Sequence, residues 1–435
     1  MRISVIGLGY LGAVHAASMA SLGHEVVGVD VDAARVEALA GGKAPFFEPG
    51  FDELLTRVQD TCRLQVTTDV AAVAGARVHF VCVGTPQQVG SLAADLSFVE
   101  AAFASVVGQV APGDVVVGKS TVPVGTAARL AGLVEAAGAS LVWNPEFLRE
   151  GFAVEDTLHP DRIVYGVADG EAGVRAAGVL DEVYAAVLAE QMPRVVTDYP
   201  TAELVKVAAN SFLATKISFI NAMAELCEVA GGDVTRLADA IGHDARIGRR
   251  FLNAGLGFGG GCLPKDIRAF MARADELGAP EAVAFLGEVD AINTRRRVRM
   301  VELAGQVLGG DVAGRRVVVL GAAFKPDSDD VRDSPALDVA ARLGEAGADV
   351  VVHDPQAIDN ARLKAPELVY ESDLEAALSG AEAVLVLTEW RVYKDLDPVR
   401  AGSLVGARNV LDGRNALDRE SWQAAGWRYR ALGRA

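Results

Sequence analysis

The sequence predicts an α/β protein with two doubly wound, mostly parallel sheet domains joined by one long central helix. Three observations predict it. Residues 3–6 form a β-branched run that passes at once into Gly7-Leu8-Gly9-Tyr10-Leu11-Gly12 and a helical pattern. A second strand, glycine turn, helix and strand series starts at Arg315. Between the two lies the longest uninterrupted helical pattern of the chain, from Thr201 to about Ala230. Short, wholly apolar strands alternating with helices are what a parallel sheet buried on both faces requires.

In chain order, residues 13–22 read as a helix stopped by Gly23, and residues 26–29 as a strand that ends at Asp30. This is the order of a Rossmann-like dinucleotide site. The glycines Gly7, Gly9 and Gly12 let the backbone approach a pyrophosphate, with Tyr10 and Leu11 in the same turn, and the helix N-terminus meets its charge. Asp30 is suited to accept from a ribose hydroxyl and repels a 2′-phosphate, so NAD is expected and not NADP.

Residues 78–83 form a buried strand pattern that ends in Gly84-Thr85-Pro86. A helix near residues 98–110 and a strand at 115–119 follow, ending in Ser120-Thr121-Val122-Pro123-Val124-Gly125. Ligands of open parallel sheets lie beyond the carboxyl ends of the strands, which puts both loops on the cofactor side. Thr121 reads either as a hydrogen-bond donor there or as a residue that shapes the turn. The strand Ser140–Trp143 leads into Asn144-Pro145-Glu146-Phe147-Leu148-Arg149-Glu150-Gly151. The four-residue spacing of Glu146 and Glu150 predicts one helical face. The pair reads as acid and base chemistry or as a solvated turn.

Tyr199-Pro200 marks the start of the central helix and Gly231-Gly232 its end. At ~1.5 Å per residue it runs roughly 45 Å, enough to connect two domains. Lys206 and Asn210 share a face, with Glu203 one turn earlier. They suit stabilisation of a developing oxyanion, or are plain helix-surface polarity. Leu213, Ile217, Ile220 and Ala224 suggest an opposing packed face that is a candidate subunit interface.

Gly257-Phe258-Gly259-Gly260-Gly261-Cys262-Leu263-Pro264-Lys265-Asp266 sets one cysteine in a glycine loop ahead of a helix with proline in its first turn. The helix dipole there lowers a thiol pKa and makes a better nucleophile. The alternative is a glycine turn around a small, inert, buried residue. Further on, Arg316–Leu320 reads as a strand, Gly321-Ala322-Ala323-Phe324-Lys325-Pro326 as a turn, residues 334–346 as a helix and 350–353 as a strand ending at Asp354. Residues 383–387 and Asn409–Asp412 supply later strands. Lacking a full GxGxxG, this half reads as a nucleotide-binding relative of the first domain and not a second NAD site.

Composition bounds the function. The chain has 435 residues, 51% hydrophobic, with a formal net charge of -17. That charge argues against nucleic acid or an anionic membrane as the main partner. Cys62, Cys82, Cys227 and Cys262 lack metal-ligand spacing, so no disulfide and no metal is expected, and a cytoplasmic protein is. No apolar run approaches the ~18 residues of a membrane span, and the N-terminus reaches glycine too soon for a signal peptide.

The motifs Gly7 to Gly12, Ser120 to Gly125, Asn144 to Gly151, Lys206-x-x-x-Asn210, Gly257 to Asp266 and Phe324 to Pro335 together resemble the UDP-glucose 6-dehydrogenase family, within the wider UDP-glucose/GDP-mannose dehydrogenase group. The resemblance covers essentially the whole chain. It implies an NAD-binding domain over 1–198, a central helical and dimerisation domain with the cysteine loop over 199–300, and a nucleotide-sugar-binding domain over 301–435. It implies a four-electron oxidation at the sugar C6 with two NAD, in an oligomer of at least two copies. Cys262 would hold the aldehyde as a thiohemiacetal and then as a thioester. Lys206, Asn210 and a water near Asp266 would serve the first oxidation; Glu146, or Glu150 through Thr121 and water, would assist hydrolysis. Lys265 and Arg332 are assigned to the cofactor. Phe147, Leu148, Phe251, Asn253, Gly259, Phe324, Lys325 and Arg414 are assigned to the nucleotide sugar, with Arg246 reaching it from a neighbouring subunit. Two departures stand out: Gly261 where relatives often carry serine, and Asp327-Ser328 where Asn-Thr is frequent. GDP-mannose, dTDP-glucose or a UDP-N-acetylhexosamine as substrate, a two-electron alcohol dehydrogenase, and a non-catalytic nucleotide sensor are the competing readings.

Overall fold

The β-branched runs do form strands, and the first glycine turn passes directly into a helix. A computed structural model describes residues 1–434. The described chain forms two compact units, one of residues 1–209 with 272–278 and the other of residues 210–271 with 279–434. The central helix, Tyr199–Ala230, begins in the first unit and continues into the second.

The first unit carries an eight-stranded sheet, β1 (Arg2–Ile6), β2 (Glu25–Val29), β3 (Leu64–Thr67), β4 (Val78–Val81), β5 (Val115–Gly118), β6 (Ser140–Trp143), β7 (Ile163–Val167) and β8 (Arg194–Thr197). Its order is β3-β2-β1-β4-β5-β6-β7-β8, parallel except for the antiparallel pair β6 and β7. The chain reverses direction across the sheet between β1 and β4, the place where such sheets bind ligands. Alternate residues of β1 feed the two faces: Ile3 and Val5 join Val14, Phe51 and Phe80 on one side, and Ile6 joins Val81, Phe103 and Trp143 on the other. Trp143 is 1% exposed and stacks on Phe103 at 6.2 Å between centroids. Its ring lies over Gly118, where a Cβ would come within 2.2 Å, so the end of β5 has to be glycine. Truncating such a buried ring to alanine costs about 3–5 kcal/mol.

The second unit carries a six-stranded, fully parallel sheet of β9 (Arg316–Leu320), β10 (Asp349–His353), β11 (Val369–Tyr370), β12 (Ala383–Val386), β13 (Asn409–Asp412) and β14 (Arg428–Ala431). Its order, β11-β10-β9-β12-β13-β14, repeats the arrangement of the first six strands of the other sheet. A smaller core gathers Ile220, Ala224 and Cys227 of the central helix with Val234, Ala238, Leu252 and Ala254.

That core bears out the packed face expected of the central helix at Ile220 and Ala224 and takes those two residues out of the candidate subunit interface. Ile220 and Ala224 pack inside their own unit, because the Val234–Gly242 helix folds back on them. The exposed apolar stripe lies elsewhere, at Phe212, Phe219 and Leu226, which recur every seven residues and are 67%, 49% and 60% exposed. Among the described residues, no helix is long and apolar enough to cross a membrane.

Candidate active site

In the first unit the glycine turn has the shape its sequence calls for. Gly7 takes φ +86° and donates its N–H to the Val29 carbonyl at 2.8 Å. At Gly12 a Cβ would come within 1.8 Å of the Gly7 carbonyl oxygen, whereas at Gly9 a Cβ would meet nothing within 4 Å. One glycine is thus demanded by the protein's own packing, and the other keeps open ground before the N-terminus of the helix Tyr10–Ser21. Asp30, at the end of β2, accepts the Leu8 N–H at 2.6 Å and the Asp32 N–H at 2.9 Å. Arg35, which the sequence reading missed, places its guanidinium 3.0 Å from both Asp30 oxygens. This cradle fits NAD: the Gly9 to Gly12 turn would hold the pyrophosphate and Asp30 the ribose.

The loops after β4 and β5 are clipped together, Thr85 Oγ1 donating to the Thr121 carbonyl at 2.9 Å and Ser120 Oγ to the Val83 carbonyl at 2.6 Å. A Cβ on Gly84 would again meet nothing within 4 Å, and Pro86 accepts the Asp95 N–H at 2.7 Å. The Tyr10 hydroxyl is turned inward to donate to Glu48 and accepts the Gly151 N–H at 3.0 Å. Burial first, and then the Glu48 carboxylate, push the Tyr10 pKa up, so it remains a phenol. Glu48 also accepts the N–H groups of Gly151 and Ala153 at 2.7 Å, tying the Asn144 to Gly151 loop to the glycine turn. No local periodicity signals that role.

The expectation that Glu146 and Glu150 share a helical face is not met: residues 144–149 run without helix and Glu150 stands at a turn. Pro145 disfavours helix before it. Glu146 Oε1 also takes the N–H groups of Phe147 and Leu148 at 2.7 and 3.1 Å, a local closure that competes with helix. Its Oε2 lies 3.0 Å from Lys119 Nζ. The Phe147 ring has the Arg162 guanidinium 3.9 Å and Lys206 Nζ 5.4 Å from its centroid, so cation–π contacts bring Lys206 to this loop. Leu11 and Leu148 both pack against the core beneath. Glu203, one turn before Lys206, is 1% exposed and takes the Gly125 and Ala127 N–H groups at 2.7 Å. It caps the helix Thr126–Ala136, and burial raises its pKa.

In the second unit Cys262 is exposed and immediately precedes the helix Leu263–Glu276, its carbonyl accepting the Asp266 N–H at 3.0 Å. Asp266 is 3% exposed and receives Asn210 Nδ2 at 2.6 Å and Lys265 Nζ at 2.5 Å. The structure therefore brings together Cys262, Asp266, Lys265 and Asn210 from two helices.

Each glycine of the cysteine loop has its own neighbour. A Cβ on Gly259 would meet the Asp333 carbonyl at 2.3 Å, one on Gly260 the Phe324 ring at 2.8 Å, and one on Gly261 the Arg332 guanidinium at 2.3 Å. A serine in place of Gly261 would require Arg332, which forks onto Asp330, to move. The turn after β9 thus lies against the cysteine loop. Asp327 adopts φ +59° there, a region that asparagine and aspartate reach more readily than most residues. Lys325 Nζ sits 5.4 Å from the Phe324 centroid.

Asn293, unsuspected from sequence, is 1% exposed and mimics a strand: Oδ1 accepts the Phe258 N–H at 2.7 Å and Nδ2 donates to the Phe258 carbonyl at 2.9 Å. Arg414 donates to the carbonyls of Leu387, Gly257 and Phe324 at 2.8, 2.8 and 3.2 Å, so its guanidinium binds three loops to one another. Arg246 is exposed and forks onto its own Asp244, the shorter contact 2.6 Å. Phe251 holds φ +64°, and Asn253 accepts from Arg249 at 2.8 Å.

Residues 1–188 match the NAD binding domain of the UDP-glucose/GDP-mannose dehydrogenase family, residues 200–295 its central domain and residues 318–419 its UDP binding domain. The chain is 42% identical over 439 residues to a UDP-glucose 6-dehydrogenase of Rhizobium meliloti (strain 1021), covering 100% of both chains. It is 40% identical to the UDP-glucose 6-dehydrogenase TuaD of Bacillus subtilis (strain 168), covering 100% of this chain and 93% of the relative. A solved UDP-glucose dehydrogenase structure from Pyrobaculum islandicum superposes with a TM-score of 0.89 at 41% identity, covering 100% of this chain and 98% of the other.

Proposed function

The chain belongs to the UDP-glucose/GDP-mannose dehydrogenase family and is an NAD-dependent oxidoreductase acting on nucleotide sugars, and on that premise we propose that it oxidises UDP-glucose to UDP-glucuronate through a covalent adduct on Cys262. The observation that carries the reading is Cys262 at the head of a helix whose Asp266 is fixed by Asn210 and Lys265. When bound, NAD accepts the two electrons and hydrogen nucleus leaving the sugar carbon at each of two oxidations. Lys206 and Asn210 stabilise the oxyanion as the C6 hydroxyl loses its proton to a water held at Asp266. The Cys262 thiolate then adds to the aldehyde carbon and retains it, since a free aldehyde would diffuse away. Oxidation of that thiohemiacetal leaves a thioester, which water hydrolyses with help from Glu146.

The substrate's diphosphate meets Lys325 and the loop that Arg414 organises; Phe251 and Asn253 border the sugar nucleotide. In this reading the enzyme is at least a dimer, Arg246 serves a neighbouring copy, and a second copy covers Phe212, Phe219 and Leu226. Sedimentation of Phe219→Glu as an unaltered oligomer would remove that last assignment. In this reading the enzyme works in the cytoplasm, where cysteines outside disulfides are stable.

The decisive experiment counts NADH formed per UDP-glucose consumed, for the wild type and for Cys262→Ala. Two per sugar for the wild type, with no acid from the variant, is expected. One per sugar would mean a two-electron dehydrogenase, none a sensor, and glucuronate from Cys262→Ala would sink the covalent route. A higher kcat/KM for GDP-mannose than for UDP-glucose would reassign the substrate.

A further inference from the structure

Strand β5 is apolar throughout, Val115-Val116-Val117-Gly118, and then delivers a lysine into the interior. Lys119 has a side chain only 4% exposed. Burying an ammonium is costly unless every proton finds an acceptor. Lys119 Nζ lies 3.0 Å from Glu146 Oε2, 3.1 Å from Asn144 Oδ1 and 3.4 Å from the Tyr184 hydroxyl. The partners are themselves held, Tyr184 donating to Asn144 Oδ1 at 2.9 Å and Asn144 Nδ2 to the Val164 carbonyl at 3.0 Å. The Phe80 and Tyr184 rings each stand 6.0 Å from the same ammonium.

Such a network is more than a turn needs. Glu146 is gripped on one oxygen by the cation behind it and on the other by the amides of Phe147 and Leu148. Its side chain keeps 16% exposure, so water still reaches it. Without Lys119 that carboxylate would lose the neighbouring positive charge that favours its ionised form.

We propose that Lys119 is a positioning residue for thioester hydrolysis: it fixes Glu146 in direction and sets a buried positive charge against it, so that Glu146 accepts a proton from the attacking water. The inference rests on the reading of Glu146 given above. In the step, the water oxygen bonds to the thioester carbonyl carbon and one water proton passes to Glu146. The carbon–sulfur bond breaks, Cys262 leaves as thiolate, and the second water proton departs with the acid product. No electrons are transferred.

The other titratable groups facing the ammonium stay silent near neutrality. Burial pushes Cys82, beyond the end of β4, up to about 12, and Tyr184 is likewise pushed up to about 12 by burial. Burial holds His15, on the helix Tyr10–Ser21, well below its usual value. Lys119 itself is raised: burial opposes its charge, and Glu146 together with Tyr184 and Cys82 more than offsets that. Arg162 and Lys206 face the neighbouring Phe147 ring. Glu150 is the other acid of the loop.

The test follows the Cys262 acyl adduct by rapid quench and intact mass, with NADH release, from pH 6 to 9 in the full-length enzyme. Lys119→Met is expected to make NADH in the first oxidation at the wild-type rate, to accumulate acyl-enzyme at pH 7 with hydrolysis slowed at least about tenfold, and to recover toward pH 9. Glu146→Gln is expected to be slow at every pH. Lys119→Arg, which keeps the charge and is the variant to use if Lys119→Met does not fold, is expected to retain hydrolysis at pH 7; a profile displaced toward high pH would overturn the proposal. An unchanged Lys119→Met profile beside a slow Glu146→Gln would overturn it while leaving the role of Glu146 intact. Wild-type hydrolysis by Glu146→Gln would remove both. Acid formation without any adduct would remove the covalent function itself.

Discussion

Asp30 at the end of β2 and Asp354 after β10 occupy corresponding places in two sheets of the same strand order, each beside the turn that follows the first strand. Asp30 takes one amide of its turn, that of Leu8, then the amide of Asp32, and shares its charge with Arg35. Asp354 takes two, from Ala322 and Ala323 at 2.7 and 3.0 Å, then the amides of Gln356 and Ala357 and the Trp390 indole N–H at 3.1 Å. The helix also begins differently, at Tyr10 directly after Gly9 but only at Pro335 long after Gly321. The intervening residues of the second sheet pack on the cysteine loop instead. Strand order brings an acid and a turn together; whether they meet a dinucleotide depends on whether the protein's own donors already consume the acid. This is why one sheet binds the cofactor and its architectural copy serves the loop that carries the thiol.

The comparison can be broken in three ways. The largest effect is expected from Gly12→Ala, because the added Cβ meets backbone at 1.8 Å, while Ala322 and Ala323 already carry a Cβ in the other turn. An overpacking cost of about 1–3 kcal/mol predicts NAD binding weakened roughly ten- to hundredfold by calorimetry. Unchanged affinity would mean the turn is not the cofactor cradle.

Next, Asp354→Asn should leave NAD affinity within about twofold yet cost about 2–3 kcal/mol of stability, since buried donors lose their acceptor. Asp30→Asn should do the reverse, weakening NAD about tenfold with a smaller loss of stability. Denaturant melts and NAD titrations of both variants check this; equal profiles for the two would erase the distinction.

The smallest effect concerns pH. His15, His24 and His79 of the first unit and His353 of the second are all held below 6.5, chiefly by burial. Below pH 6.5 the unfolded chain binds protons that the folded units refuse. The contribution is therefore intact above that pH and is lost as pH falls toward the depressed folded values, by at most ~0.7 kcal/mol per histidine between pH 7 and 6. Hydrogen exchange, corrected for intrinsic rates, should show the first unit losing protection sooner; earlier loss in the second unit would contradict the assignment.

Much of this was legible in one dimension. The apolar strands, the glycine turn with its acid, the helix ahead of which Cys262 stands and the order of the motifs all come from local periodicity and backbone freedom. The same rules led to a helix at Glu146, because spacing alone cannot reveal that a carboxylate will close on its own amides. Lys119 had a faint signal, a lysine ending an otherwise apolar strand. Asn293, Glu48 and Arg35 had none, as polar residues in helices or loops look alike until their partners are known.

The sequence by itself determined two parallel sheets, a central helix, the cofactor turn and the place of the candidate thiol ahead of a helix, since each follows from residues within a turn or two of one another. Only the tertiary structure decided which polar groups are buried and with whom: Lys119 with Glu146, Asn293 with Phe258, Glu203 with the Gly125 turn, Asp354 with its own loop. The reason is physical. A buried polar group is tolerated only when a partner arrives from a distant segment, and that arrival depends on packing, not on spacing along the chain.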